Sequence, residues 1–109
     1  MRLFLFRPHY IYILRSQQDG TYYKGYTENY LRRLAEHNNG KSEYTSSKIP
    51  WDLIYVEEHP DKRSALIREK KLKKCKKEYS EWLVLQSSNV LIISSKDAVP
   101  VHFCSPNNC

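Results

Sequence analysis

The spacing of apolar positions changes period several times along this chain, and each change marks an element. Residues 9 to 15 and 21 to 26 are rich in tyrosine and isoleucine, with Asp19-Gly20 between them. That pairing predicts two strands joined as a β-hairpin. In the first strand Tyr10, Tyr12 and Leu14 fall on one face and Ile11 and Ile13 on the other, because strand side chains alternate. In the second, Tyr23 takes one face while Tyr22, Lys24 and Tyr26 share the opposite one. With the turn centred on Gln17 and Gln18, Tyr12 and Tyr23 are nearly equidistant from it and become cross-strand or diagonal neighbours.

Beyond the hairpin the period lengthens. Thr27 suits the N-cap of a helix running through Asn38, and Asn39-Gly40 supplies its stop. Leu31, Leu34 and Ala35 are the expected apolar stripe, with Arg33 and His37, four apart, on a strip beside it. A polar loop, GKSEYTSSKIP, leads to a third strand in WDLIYVEE, where alternation returns. Residues 61 to 77 predict a second helix, opened by Asp61 or Ser64, with Ala65, Leu66 and Leu72 inward. Residues 78 to 87 either extend it or form another helix, and VLII at 90 to 93 suggests a fourth strand. The order strand–strand–helix–strand–helix reads as an α+β domain on a small antiparallel sheet. Its expected limits are residues 9 to 87, between an N-terminal extension (1 to 8) and a C-terminal tail (88 to 109) with few order signals.

Composition sharpens this in three places. A chain of 109 residues with 40% hydrophobic and 28% charged positions is globular and most simply one domain. Eighteen Lys and Arg against 12 Asp and Glu give a formal net charge of +6, which suggests a polyanionic partner. The charge is concentrated: nine basic residues lie between Lys62 and Lys77, and Glu69 is the only acid among them. On a helix, Glu69 sits between the inward positions, where a carboxylate is costly unless it is paired or bound to a metal. No apolar run approaches the roughly 20 residues of a membrane span, and the opening LFLF is too short for a signal-peptide core. Three cysteines, Cys75, Cys104 and Cys109, argue against a disulfide framework and for a reducing cytoplasm. The spacing of His102, Cys104 and Cys109 fits no usual zinc pattern.

Five stretches now stand in order: YIYIL, YYKGYT, LRRLAEHN, PWDLIYVE and ALIREKKLKK. Together, over residues 9 to 77, they resemble the GIY-YIG nucleases, especially the small stand-alone bacterial members similar to the N-terminal nuclease domain of the UvrC repair protein. The resemblance implies a three-stranded antiparallel sheet flanked by helices. It also implies metal-dependent hydrolysis of DNA phosphodiester bonds, in repair or processing. Tyr12 and Tyr23 match the tyrosines of the two naming motifs, Gly25 the second motif's glycine, and Arg33 the arginine of the following helix. His37 matches a position four further on, and Glu69 the acidic residue that binds Mg²⁺ or Mn²⁺. Tyr10 stands where the first motif has glycine, and Lys24 replaces the second motif's isoleucine.

The implied roles are chemically coherent. Arg33 offers bidentate, charge-assisted hydrogen bonds to a phosphate. Tyr23 would orient water or phosphate, and His37 would support the phosphate or relay a proton. Tyr12, the implied general base, has an ordinary pKa of about 10. It therefore needs positive charge from a metal, Arg33 or Lys24 to favour the phenolate. Lys24, Arg32, Lys70, Lys73, Lys74 and Lys77 are the candidate nucleic-acid contacts. Against this stand structural readings: tyrosines packing a sheet, Arg33 and His37 on a solvated surface, and Glu69 ion-paired with Arg33 or Lys73. The rival function is a non-catalytic nucleic-acid-binding module on the same scaffold, for which RNA stays open as a ligand.

Overall fold

The computed structural model describes residues 8–93. Three antiparallel strands, β1 (His9–Ser16), β2 (Tyr22–Thr27) and β3 (Trp51–His59), form a sheet in the order β2-β1-β3. The hairpin closes through a turn in which Gly20 takes the left-handed conformation (φ 77°) and the Asp19 carboxylate accepts from the Thr21 amide. Tyr12 stands opposite Gly25 and Leu14 opposite Tyr23, so Tyr12 and Tyr23 are diagonal neighbours.

Both faces of the sheet are covered. One carries Tyr12, Leu14, Trp51 and Val56, packed by Tyr30 and Leu34 of α1 (Tyr30–Asn38), by Ile49, and by Val90 and Leu91 of α4 (Val90–Ile93). The other carries Ile11, Ile13 and Tyr55 against Ala65 and Leu72 of α2 (Lys62–Leu72) and Leu83 of α3 (Lys77–Val84). Among the described residues no helix is long and apolar enough to cross a membrane.

Several local expectations need correcting. Residues 90–93 are a short helix, not a fourth strand. Asn89 explains why pairing stops at β3. It is buried, its side-chain oxygen accepts from the Val56 amide, and its amide nitrogen donates to the Ile54 and Val84 carbonyls. The N-cap of α1 is Asn29, which accepts from the Arg32 amide, while the Thr27 hydroxyl, two residues earlier, accepts from the Asn29 amide. Leu31 is 64% exposed and Ala35 is also outside; the helix turns Tyr30, Leu34 and His37 inward. In β3 a bulge at Ile54 shifts the alternation, so that Trp51, Leu53 and Val56 share a face.

The long basic helix is also two helices. Asp61 caps α2 by accepting from the Ser64 amide, and α2 ends at Leu72; Lys77 opens α3. Leu66, expected inward, is 39% exposed. Cys75 lies in the turn between them, while His102, Cys104 and Cys109 lie outside the described residues.

Candidate active site

Gly25 is where the site begins. A Cβ placed there would lie 2.5 Å from the Tyr12 hydroxyl oxygen and 2.6 Å from its ring. The Tyr12 ring therefore lies flat across the glycine, and its hydroxyl is carried toward the β2 edge of the sheet. Backbone conformation is not the reason for this glycine, since its φ is not positive.

At that point Tyr12 meets α1. Its hydroxyl lies 3.0 Å from Nε2 of His37, and Nδ1 of His37 lies 2.8 Å from the Thr45 hydroxyl. Tyr12, His37 and Thr45 are all essentially inaccessible to solvent. The Tyr23 ring closes over the pair, with centroids 5.0 Å from His37 and 6.3 Å from Tyr12. Tyr44 stands 5.8 Å beyond Tyr23 and is 77% exposed. Thus His37, one of the residues for which a surface position was the plain expectation, is a core residue bonded at both ring nitrogens.

Electrostatics at Tyr12 differ from the sequence expectation. Burial, then the neighbouring Tyr23, pushes its phenol well above the ordinary tyrosine range. Arg33 opposes this with its charge and its N–H groups, and the Glu69 carboxylate adds to it. Burial wins, so positive charge nearby does not by itself make Tyr12 a phenolate. His37 moves the other way: burial, then Arg33, holds its pKa below the ordinary histidine range. The pair is a neutral phenol beside a neutral imidazole.

Arg33 is half-buried and donates to Glu36 at 2.8 Å, a partner that sequence reasoning missed. That hydrogen bond is the chief reason its pKa is raised. One carboxylate uses part of a guanidinium with five N–H donors, so donors remain for a phosphate. Glu69 is mostly buried (19% exposed side chain) and pairs with Lys73 at 3.2 Å, one of the two ion pairs anticipated for it. α2 packs on the sheet face opposite Tyr12, yet the Glu69 charge reaches the Tyr12 hydroxyl.

The basic residues are divided. Lys24 and Lys73 line a cavity of about 480 Å³ with Tyr22, Tyr23 and Tyr44, at the mouth of the site. Lys77 lies over the Tyr22 ring, 5.5 Å from its centroid. Lys70 lies elsewhere, with Lys62, Arg63, Leu66 and Ile67 on the outer face of α2. Lys74 is exposed in the α2–α3 turn, and Arg32 is exposed on α1 beside Glu36, 3.7 Å away. Lys24 neither projects freely nor faces the Tyr12 side. Its ammonium donates to the Leu72 carbonyl at 2.9 Å, capping the C-terminus of α2.

Among the described residues no group of three His, Cys, Asp or Glu gathers as a metal cage. Among the described residues, Glu69 would hold a divalent cation at this site together with water and substrate oxygens, a mode that suits Mg²⁺. Glu69 fits that duty: it is a carboxylate, 19% exposed, whose counter-ion, Lys73, is 54% exposed to solvent.

Comparison with known proteins shows the family. The GIY-YIG catalytic domain family matches residues 8–81. A UPF0213 protein of Streptococcus pneumoniae is 37% identical over 86 residues, covering 78% of this chain and 86% of its own. A UPF0213 protein of Natronomonas pharaonis is 40% identical over 77 residues, covering 70% and 89%. The solution NMR structure of a UPF0213 protein from Bacillus halodurans, 31% identical, superposes with a TM-score of 0.50 over 85% of this chain and 99% of that one. The chain belongs to the GIY-YIG catalytic domain family.

Proposed function

We propose that this protein is a metal-dependent endonuclease that hydrolyses DNA phosphodiester bonds, in repair or processing. The observation that carries this reading is the contact between the buried Tyr12 hydroxyl and the His37 ring, where the charges of Arg33 and Glu69 are also felt. Hydrolysis requires a base for water, a cationic grip on the phosphate, and stabilisation of the charge that builds in the transition state.

In this reading Arg33 holds a phosphate oxygen with the donors that Glu36 leaves over. Water attacks phosphorus as its proton passes to the Tyr12 oxygen, while Tyr12 hands its own proton to His37 Nε2. The relay keeps Tyr12 from existing as a free phenolate, which its burial disfavours. Bonding electrons leave with the displaced ester oxygen, which takes a proton from solvent. Tyr23 walls the site and orients water or phosphate at the mouth. A divalent cation on Glu69 would supply Lewis-acid stabilisation of the phosphate. Lys73 and Lys77 follow the DNA backbone beside the cavity, whereas Lys70, Lys74 and Arg32 add long-range attraction.

One observation favours the non-catalytic alternative: the Glu69–Lys73 ion pair gives Glu69 a structural role without metal. Incubating the protein with supercoiled, branched and single-stranded DNA, with Mg²⁺ or Mn²⁺ and with EDTA, separates the two. Strand scission abolished by EDTA is expected. Salt-sensitive binding without scission on every substrate would instead identify a binding module.

A further inference from the structure

Thr45 belongs to none of the five motif stretches, yet it is completely buried and its side chain is bound into the site. Its hydroxyl lies 2.8 Å from His37 Nδ1 and donates, at 3.4 Å, to the Ser42 carbonyl. The residue itself is held rigidly. Its carbonyl accepts from the Trp51 indole N–H at 3.0 Å and from the Lys48 amide at 3.2 Å, and its amide donates to Ser42. Trp51 is in turn fixed to α1, because the Asn38 side-chain amide bonds both the Trp51 N–H and its carbonyl.

Proton directions in this chain can be worked out from both ends. A neutral imidazole has one N–H and one lone pair. At one end the Tyr12 hydroxyl is buried, so its proton needs an acceptor, and His37 Nε2 lies 3.0 Å away. At the other end the Ser42 carbonyl can only accept, so the Thr45 proton points to it and the Thr45 oxygen is free to accept from Nδ1. Both arguments place the histidine proton on Nδ1. The opposite tautomer would leave the Tyr12 proton without a partner in a buried site.

We propose that Thr45 is a positioning residue: its hydroxyl fixes His37 as the Nδ1–H tautomer and thereby aims the Nε2 lone pair at Tyr12. This rests on the nuclease reading only for its consequence, since the tautomer exists without substrate. It also gives the 41–50 loop a task. Through Thr45 and Trp51 the loop couples the first residue of β3 to the ring orientation of His37.

The test is nitrogen-15 NMR of the histidine rings, with the His37 signals assigned by their disappearance in His37→Gln. Wild type should show a protonated Nδ1 and an unprotonated Nε2. Thr45→Ser, which keeps the hydroxyl, should preserve that pattern. Thr45→Val, similar in shape without the hydroxyl, should move the ring toward the Nε2–H form and slow DNA nicking about 100-fold with KM little changed. A wild-type Nε2–H tautomer, or a folded Thr45→Val protein with the wild-type tautomer, overturns the proposal. A Thr45-dependent tautomer in a protein that cuts no DNA upholds the positioning role and removes the nuclease reading instead.

Discussion

At the scale of single residues the site combines a buried phenol with a buried imidazole, and pH should expose both. Burial and Arg33 keep His37 neutral in the fold. The unfolded chain, with an ordinary histidine pKa of about 6.5, then binds the proton that the folded one refuses. Stability should therefore fall as pH drops below about 6.5, down toward the lowered folded pKa. Thermal melts between pH 7.5 and 5 should show this loss, and His37→Gln should flatten it. Nicking should have its acid limb in the same interval. Gly25 makes a second test possible. Because a Cβ there meets the Tyr12 ring at 2.5–2.6 Å, Gly25→Ala should cost about 1–3 kcal/mol of stability by overpacking. It should also lower nicking by displacing the hydroxyl; a melt and an activity assay on the same sample measure the two. The sequence pointed to Tyr12, Tyr23, Arg33, His37 and Glu69 through their motif positions. It did not reveal Thr45 or Glu36, because both act through tertiary contacts and their neighbours, GKSEYTSSKIP and LAEHN, look like ordinary polar loop and helix surface.

At the scale of elements, strand pairing was legible because period-two patterning and a turn dipeptide determine it locally. Helix faces were less so. In α1 the apolar residues Leu31 and Ala35 suggested one inward face, but the buried one is Tyr30, Leu34 and His37. A histidine bonded at both nitrogens loses the polarity that marks it as external. The β3 bulge at Ile54 was hidden for a related reason: strict alternation and a one-residue insertion both place apolar residues in WDLIYVEE. The end of α2 carries no glycine or proline; the Leu72 carbonyl accepts from the Cys75 amide and from Lys24, which is distant in sequence. Lys24→Met should consequently lower stability by about 1 kcal/mol through loss of that charge-assisted hydrogen bond. It should leave the salt dependence of DNA binding nearly unchanged. Lys73→Gln, by contrast, should reduce the slope of log K against log salt by about 1. Titrations of both variants at several salt concentrations would show equal slopes if that division of labour is mistaken.

At the scale of the molecule, a three-stranded sheet covered on both faces places α1 and α2 on opposite sides, and the site arises at the β2 edge where Gly25 leaves room for Tyr12. The described residues of one chain carry one such site, so single-strand nicks in supercoiled DNA are the expected first product, with linear DNA appearing only after further events. The central claim is that Tyr12 and Glu69 perform metal-dependent phosphodiester hydrolysis rather than merely support the fold. The most direct measurement is the nicking rate of supercoiled plasmid by wild type, Tyr12→Phe and Glu69→Gln in Mg²⁺, each shown by circular dichroism to be folded. The account expects EDTA-sensitive nicking by wild type and losses of roughly 100-fold or more in both folded variants. Wild-type protein that leaves the plasmid intact, or a folded Glu69→Gln that nicks at the wild-type rate, would contradict it.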